Sequence, residues 1–245
     1  QEVFGTNFLV IGAAGADNFK FEKSLQYHGG QVFEDALSGV LFVGGATLGL
    51  GSRHGWFPLG RSRQVTRATG NRIQELDHRP AISVYEDYFG TGFYADGEPL
   101  ARRSLFYPLG FRTQTEGWLI RQPLRVGDEG SLVCNAEIPE GEEVRLMIGL
   151  KEALLEATRE AGKAALSGLG GKKPRIVFIF ESASRKKILG RDALQELQII
   201  RELFGGEVPV AGCYSYGELS PLESERYLGQ SRFLNEAIVI AALGD

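Results

Sequence analysis

Residues 150–180, LKEALLEATREAGKAALSGLGGKKPRIVFIF, decide the fold. Leu150, Ala153, Leu154, Ala157, Ala161, Ala164 and Ala165 recur at three- and four-residue spacing, and Gly168, Gly170 and Gly171 close the run. That pattern predicts a helix over 150–166 with one apolar face and a glycine stop. RIVFIF (175–180) reads as a strand. Downstream, Leu194, Leu197, Ile200 and Leu203 predict a second helix over 191–204, and another strand follows at 208–213. Strand, helix and strand at this spacing predict an α/β protein, with a sheet covered by helices on at least one face.

Outside this block the chain is strand-rich. Val144–Ile148 reads as a short strand, as do 61–69, 103–107, 116–121 and 131–137. Pro80 and Gly90 bracket a predicted helix over 80–89. FLVIGAA (8–14) predicts a strand entering the turn Gly15-Ala16-Asp17-Asn18. Residues 23–27 and 31–33 form the arms of a hairpin around Gly29-Gly30, and GVLFVGGATL (39–48) reads as an apolar strand. A last hairpin is expected from 225–231 and 234–242.

Composition narrows the class. The chain has 33 glycines in 245 residues, about twice the ~7% share of an ordinary soluble protein. They follow no G-X-Y period and accompany only 9 prolines, which excludes collagen and low-complexity disorder. The charge, 27 basic against 31 acidic residues, is −4, so bulk electrostatics give no nucleic-acid binder. Between Arg53 and Arg125 there are eleven Arg and no Lys against seven carboxylates. Those arginines either present bidentate contacts to carboxylate or phosphate, or pair within the fold with Glu75, Asp77 and Glu86. Cys134 and Cys213 stand alone, which fits neither a zinc site nor a disulfide scaffold and favours a reducing cytoplasmic setting. No apolar run reaches the length of a membrane-spanning helix.

At a constant offset of 200, residues 10–33 align with 210–233 without a gap. Val10 meets Val210, Gly12 meets Gly212, Ser24 meets Ser224, Tyr27 meets Tyr227, Gly29 meets Gly229 and Phe33 meets Phe233. This predicts two pseudo-repeated lobes with mixed sheets, hairpins and covering helices. The C-terminal copy is preceded by helix–strand–helix and the N-terminal copy is not. A larger protein with further sequence upstream of Gln1 is therefore expected.

GAAGADNFKFEK (12–23), GWFPLG (55–60) and VTRA (65–68) before Gly70-Asn71-Arg72 resemble the N-terminal part of the FIST sensory domain. FESASRKKILG (180–190) and GCYSYGELSP (212–221) resemble its C-terminal part. The resemblance implies a partial N-terminal FIST lobe over 1–90 and a C-terminal FIST lobe over 91–245. It also implies a bacterial or archaeal small-ligand sensor for intracellular signal transduction, for amino acids or, in some relatives, for nitric oxide through haem. The partner it implies is an output domain such as a kinase. Ser182 stands where the family often has Cys, and Cys213 replaces an aromatic residue.

Candidate site residues follow. Arg185, after one strand, offers a two-pronged contact to a carboxylate, and Glu218, after another, can accept from an ammonium. Tyr214 and Tyr216 can wall a pocket beside Ser182, with Gly217 allowing a close backbone approach. Together they suit an amino acid; the alternative is that Tyr216 is core and Arg185–Glu218 a structural ion pair. Asp17 and Asn18 either complete a second pocket or cap their turn. No cofactor is expected. In the haem alternative His28 is the chosen iron ligand among His28, His54 and His78. The glycines of GGATLGLGSRHG (44–55) match neither a P-loop nor a dinucleotide fingerprint. Enzymatic activity is not expected; the alternative is a hydrolase with Cys213 as nucleophile.

Overall fold

The computed structural model describes residues 8–95, 99–113, 117–221 and 231–245. The chain begins with β1 (Gly12–Ala14), the hairpin β2 (Leu25–His28) and β3 (Gln31–Glu34), and β4 (Thr47–Arg53). A middle section follows: β5 (Trp56–Thr69), β6 (Arg72–Leu76), β7 (Arg79–Pro80), α1 (Ser83–Phe89), α2 (Gly92–Ala95), α3 (Leu100–Ser104), β8 (Leu109–Thr113), β9 (Gly117–Arg121), β10 (Pro123–Val126), β11 (Leu132–Cys134) and β12 (Glu143–Gly149). The last section holds α4 (Lys151–Gly168), β13 (Pro174–Ser182), α5 (Ala183–Leu189), α6 (Leu194–Phe204), β14 (Val210–Ser215), β15 (Gly217–Ser220), β16 (Arg232–Leu234) and β17 (Ile238–Gly244). The class is α/β.

These elements form two compact units that are nested in sequence. Trp56–Leu150 make one; the chain up to Gly55 and from Lys151 onward makes the other. Both copies of the repeat fall in the second of these, the outer unit. β1 and β14 occupy matched positions, as do β3 and β16, but Asn18–Phe19 form a turn where β15 continues in the other copy. Ser224, Tyr227 and Gly229 lie outside the described residues, as do 225–230 of the last expected hairpin.

The outer unit has a four-stranded sheet in the order β14-β13-β17-β4. β13 and β14 are parallel, and the other pairs are antiparallel. Val177, Ile238, Ile240 and Ala242 face one way and pack on Ala161, Ala165 and Leu169 at α4 and on Ile200 and Phe204 of α6. The alanine stripe of α4 lets it sit directly on β4, and β4 answers with glycines. A Cβ on Gly49 would lie 1.8 Å from the Ala165 carbonyl oxygen, and one on Gly51 would lie 2.0 Å from that of Ala161. A small antiparallel sheet, β1-β15-β16, and the separate β2–β3 hairpin complete the unit.

The inner unit is an antiparallel sheet in the order β10-β11-β6-β5-β12-β8-β9, with β7 beside β6. Several of its arginines pair with carboxylates within the fold. Buried Arg63 pairs with Asp87 and with Asp77, Arg67 with Glu75, and Arg79 with Asp87. Glu86 instead accepts from the Tyr94 hydroxyl.

Several elements depart from the sequence reading. The strand expected at 39–48 begins only at Thr47; Val40, Leu41, Phe42 and Val43 are exposed, because apolar composition alone does not supply a pairing edge. The strand expected at 103–107 gives way to helix α3, since Pro99 starts a turn that buries Leu100, Ala101 and Ser104 on one face. Of 8–14 only β1 pairs as strand. Between the expected strand at 175–180 and the expected helix at 191–204 lies a short helix, α5, capped by Ser182.

Candidate functional site

The parallel strands β13 and β14 end together: Glu181 lies beside Tyr214, and Ser182 beside Ser215. In open α/β sheets the carboxyl ends of parallel strands are where ligands gather. α5 starts at once, with Ser182 Oγ accepting the Ser184 amide at 3.4 Å, and its first turn directs Arg185 into the unit.

Arg185 is 0% exposed. Its Nη1 donates to the His54 carbonyl at 2.6 Å. Its Nη2 reaches the Leu154 carbonyl at 2.8 Å, Thr158 Oγ1 at 2.8 Å and Glu196 Oε1 at 2.5 Å. Both terminal nitrogens are thus engaged inside the fold, in place of the outward two-pronged contact expected from sequence. The structural ion pair is Arg185–Glu196 rather than Arg185–Glu218.

Four buried glutamates surround this one guanidinium. Glu181 Oε1 faces Arg185 Nε at 3.8 Å. Glu218, on β15, accepts from Ser215 Oγ at 2.5 Å and from the Ala237 amide at 3.2 Å. Glu236, in the turn before β17, has the Ser184 and Ser182 hydroxyls near it, yet its Oε2 has no hydrogen-bond partner among the described residues. Burial pushes the carboxyls of Glu181 and Glu218 well above the ordinary value and raises Glu236 to about 8. Burial also acts on Glu196, but the Arg185 guanidinium outweighs it and holds that carboxyl below its ordinary value. Glu236 adopts φ 60°, the left-handed region, an uncommon backbone for a non-glycine residue. Of the four, only Glu218 was read from sequence. The missed signal is a carboxylate in an apolar stripe: Glu196 shares its face of α6 with Ile199, Ile200 and Phe204.

Tyr214 is half-exposed, with Lys186 Nζ 4.6 Å from its ring centre. Burial, with Glu181 and Glu196 nearby, raises its hydroxyl to about 12. Tyr216 turns the other way. Its hydroxyl donates to Asp17 Oδ1 at 2.6 Å and accepts from the Phe19 amide at 2.5 Å, and its ring stacks on Phe21 at 4.8 Å. Asp17 also accepts from the amides of Phe21, Glu22 and Lys23 at 2.9, 2.6 and 3.1 Å. Burial would raise its carboxyl, but the Tyr216 hydroxyl and these amides hold it well below the ordinary range. Asn18 sits at φ 59°. Here Asp17 caps its turn, and that turn is fastened to Tyr216 from the far end of the chain.

Comparison with known proteins adds the lineage. The FIST N domain model matches residues 1–79 and the FIST C domain model matches residues 81–221. The chain belongs to the FIST family. FIST domains are associated with sensory and signal-transduction roles. The chain is also 31% identical over 152 residues to an uncharacterized protein of Methanocaldococcus jannaschii. That match covers 56% of this chain and 29% of the relative, so the chain spans under a third of the relative's length. No solved structure matches it.

Both FIST matches contribute to the buried cluster. The FIST N match holds His54, and the FIST C match holds Glu181, Arg185, Glu196 and Glu218. Glu236 lies beyond both. His28, the iron ligand of the haem alternative, ends a hairpin exposed along most of both strands. His54 is partly buried, and desolvation with Arg185 and Arg53 nearby lowers its imidazole to about 4. Among the described residues no group of three or more His, Cys, Asp or Glu could hold a metal ion. The Cys213 thiol is raised by burial and by Glu218, the opposite of an activated nucleophile. No helix among the described residues is long and apolar enough to cross a membrane.

Proposed function

We propose that this FIST chain is a non-enzymatic cytoplasmic input module that binds a small polar ligand, an amino acid, and passes the signal to an output domain or kinase. The centre of the response is the carboxyl cluster at the ends of β13 and β14. The observation that carries this reading is Glu236: a buried carboxyl in a left-handed backbone, with one oxygen unpartnered among the described residues. Strained, buried and under-satisfied polar groups concentrate where a ligand completes the structure. A ligand ammonium takes the place of the proton that Glu236 holds in the free protein and so satisfies Oε2; Ser182 lies beside it, and Lys186 over Tyr214 supplies a cation for the ligand carboxylate.

The test is thermal stabilisation by a panel of amino acids and their N-acetyl derivatives. A ligand at a hundredfold excess over its Kd should stabilise the protein by about 2.7 kcal/mol. Glu236→Gln should weaken the effective ligand by about tenfold or more, the loss of one charge-assisted hydrogen bond. A panel with no stabilising member, or N-acetylated ligands that bind as well as the free amines, would overturn the reading.

A further inference from the structure

We propose that Glu181 and Glu196 share a single proton, joining β13 to α6 as a carboxyl–carboxylate pair clamped by Arg185. Glu181 lies on the helix-facing side of β13, in register with Ile238, and is 6% exposed. Glu196 rises from the apolar stripe of α6 and is 2% exposed. The two carboxyls meet the same guanidinium, Glu181 Oε1 at 3.8 Å from Arg185 Nε and Glu196 Oε1 at 2.5 Å from Arg185 Nη2. If both were ionised, Glu181 Oε1 and Glu196 Oε2 would each be a buried acceptor without a donor. Two like charges that close in a dry interior cannot both persist. One proton resolves both defects, because the Glu181 hydroxyl then donates to the Glu196 carboxylate.

The neighbours decide which partner holds the proton. Glu196 receives Arg185 Nη2 at 2.5 Å and the Thr158 hydroxyl at 2.6 Å, so it is the anion. Glu181 meets Arg185 Nε at the longer distance of 3.8 Å. Among the described residues, the other titratable groups facing the pair do not supply a second positive charge. His54, at the end of β4, is neutral at ordinary pH. Glu218 from β15 and Glu236 from the turn before β17 are further acids, and Tyr214 from β14 is a neutral phenol. Arg185 therefore balances one carboxylate only, and the rest of the cluster stays neutral while its protons are held.

A proton held in the folded state and released in the unfolded one sets the sign. The unfolded Glu181 gives up its proton near the ordinary value of 4.5. The folded pair keeps it to higher pH. Stability is fully expressed below the unfolded value and falls as pH rises through neutral, until the folded pair lets go.

The experiment is denaturant unfolding of the full chain between about pH 6 and about pH 9, where one linked proton changes the unfolding constant by up to tenfold per pH unit. Glu181→Gln carries its own N–H donor to Glu196 Oε2 and needs no proton. It should lose that one-proton slope and match or exceed the parent at the alkaline end. Glu181→Met should also lose the slope, at lower stability throughout. Glu196→Gln, which strips Arg185 of its counter-ion, should be destabilised at every pH. Infrared spectra at neutral pH should show a protonated-carboxyl carbonyl band that weakens in Glu181→Gln. Parallel pH curves for the parent and Glu181→Gln, or an unchanged carbonyl band, would overturn the proposal. So would a Glu196→Gln variant as benign as Glu181→Gln.

Discussion

Replacing Arg185 with methionine tests whether the guanidinium is a framework group or a ligand receptor. Methionine fills much of the same volume, so the loss is electrostatic and hydrogen-bonded rather than a cavity. The structure assigns Arg185 one buried counter-ion, Glu196, and the carbonyls of His54 and Leu154. Removing one partner of a buried ion pair costs about 3–5 kcal/mol, because the other charge is stranded. The two carbonyls each lose a donor, which adds a smaller amount that relaxation partly recovers. A loss of about 4 kcal/mol is expected, a large fraction of the 5–15 kcal/mol that holds an ordinary domain together. Urea denaturation followed by far-UV circular dichroism, with amide exchange in β13 and β17, is the assay. Tryptophan fluorescence reports elsewhere, since Trp56 and Trp118 are both in the inner unit. The double variant Arg185→Met with Glu196→Leu should regain most of the loss, as buried ion pairs exchanged for apolar groups commonly do. A loss below about 1 kcal/mol for Arg185→Met, or a double variant no better than the single, would refute the assignment.

Two further outcomes can be measured on simple variants. Gly51→Ala places a Cβ 2.0 Å from the Ala161 carbonyl oxygen and must push α4 off the sheet; a loss of about 1–3 kcal/mol or more is expected in thermal melts. Gly12→Ala meets nothing within 4 Å and should melt with the parent, so equal melting of the two alanine variants would contradict the packing described. A thiol-specific dye should label Cys213 slowly and leave Cys134, whose buried thiol is raised to about 12, unlabelled until urea is added. Rapid native labelling of Cys134 would count against that burial.

The α/β class and the helix–strand–helix–strand block were legible because their periodicities are long and their stops are glycines. The hairpin around Gly29 and Gly30 was legible for a local reason, two consecutive left-handed glycines. Residues 39–46 misled because apolar side chains favour a strand but do not provide its partner. The site was half legible. Arg185, Ser182 and Glu218 sit in the motif-bearing segments and do converge. Glu181, Glu196 and Glu236 come from a strand end, a helix stripe and a turn, and only folding gathers them. The role of Arg185 was beyond the sequence, because whether a guanidinium turns outward or inward depends on acceptors distant along the chain. Asp17 shows the same point: its link to Tyr216 spans 199 positions.

The nesting of the two units means that the polypeptide leaves the outer unit once, after Gly55, and returns once, at Lys151. The His54 carbonyl lies just before the departure and the Leu154 carbonyl just after the return, and one guanidinium grips both. Arg185 therefore works like a staple across the two legs of a loop ninety-odd residues long.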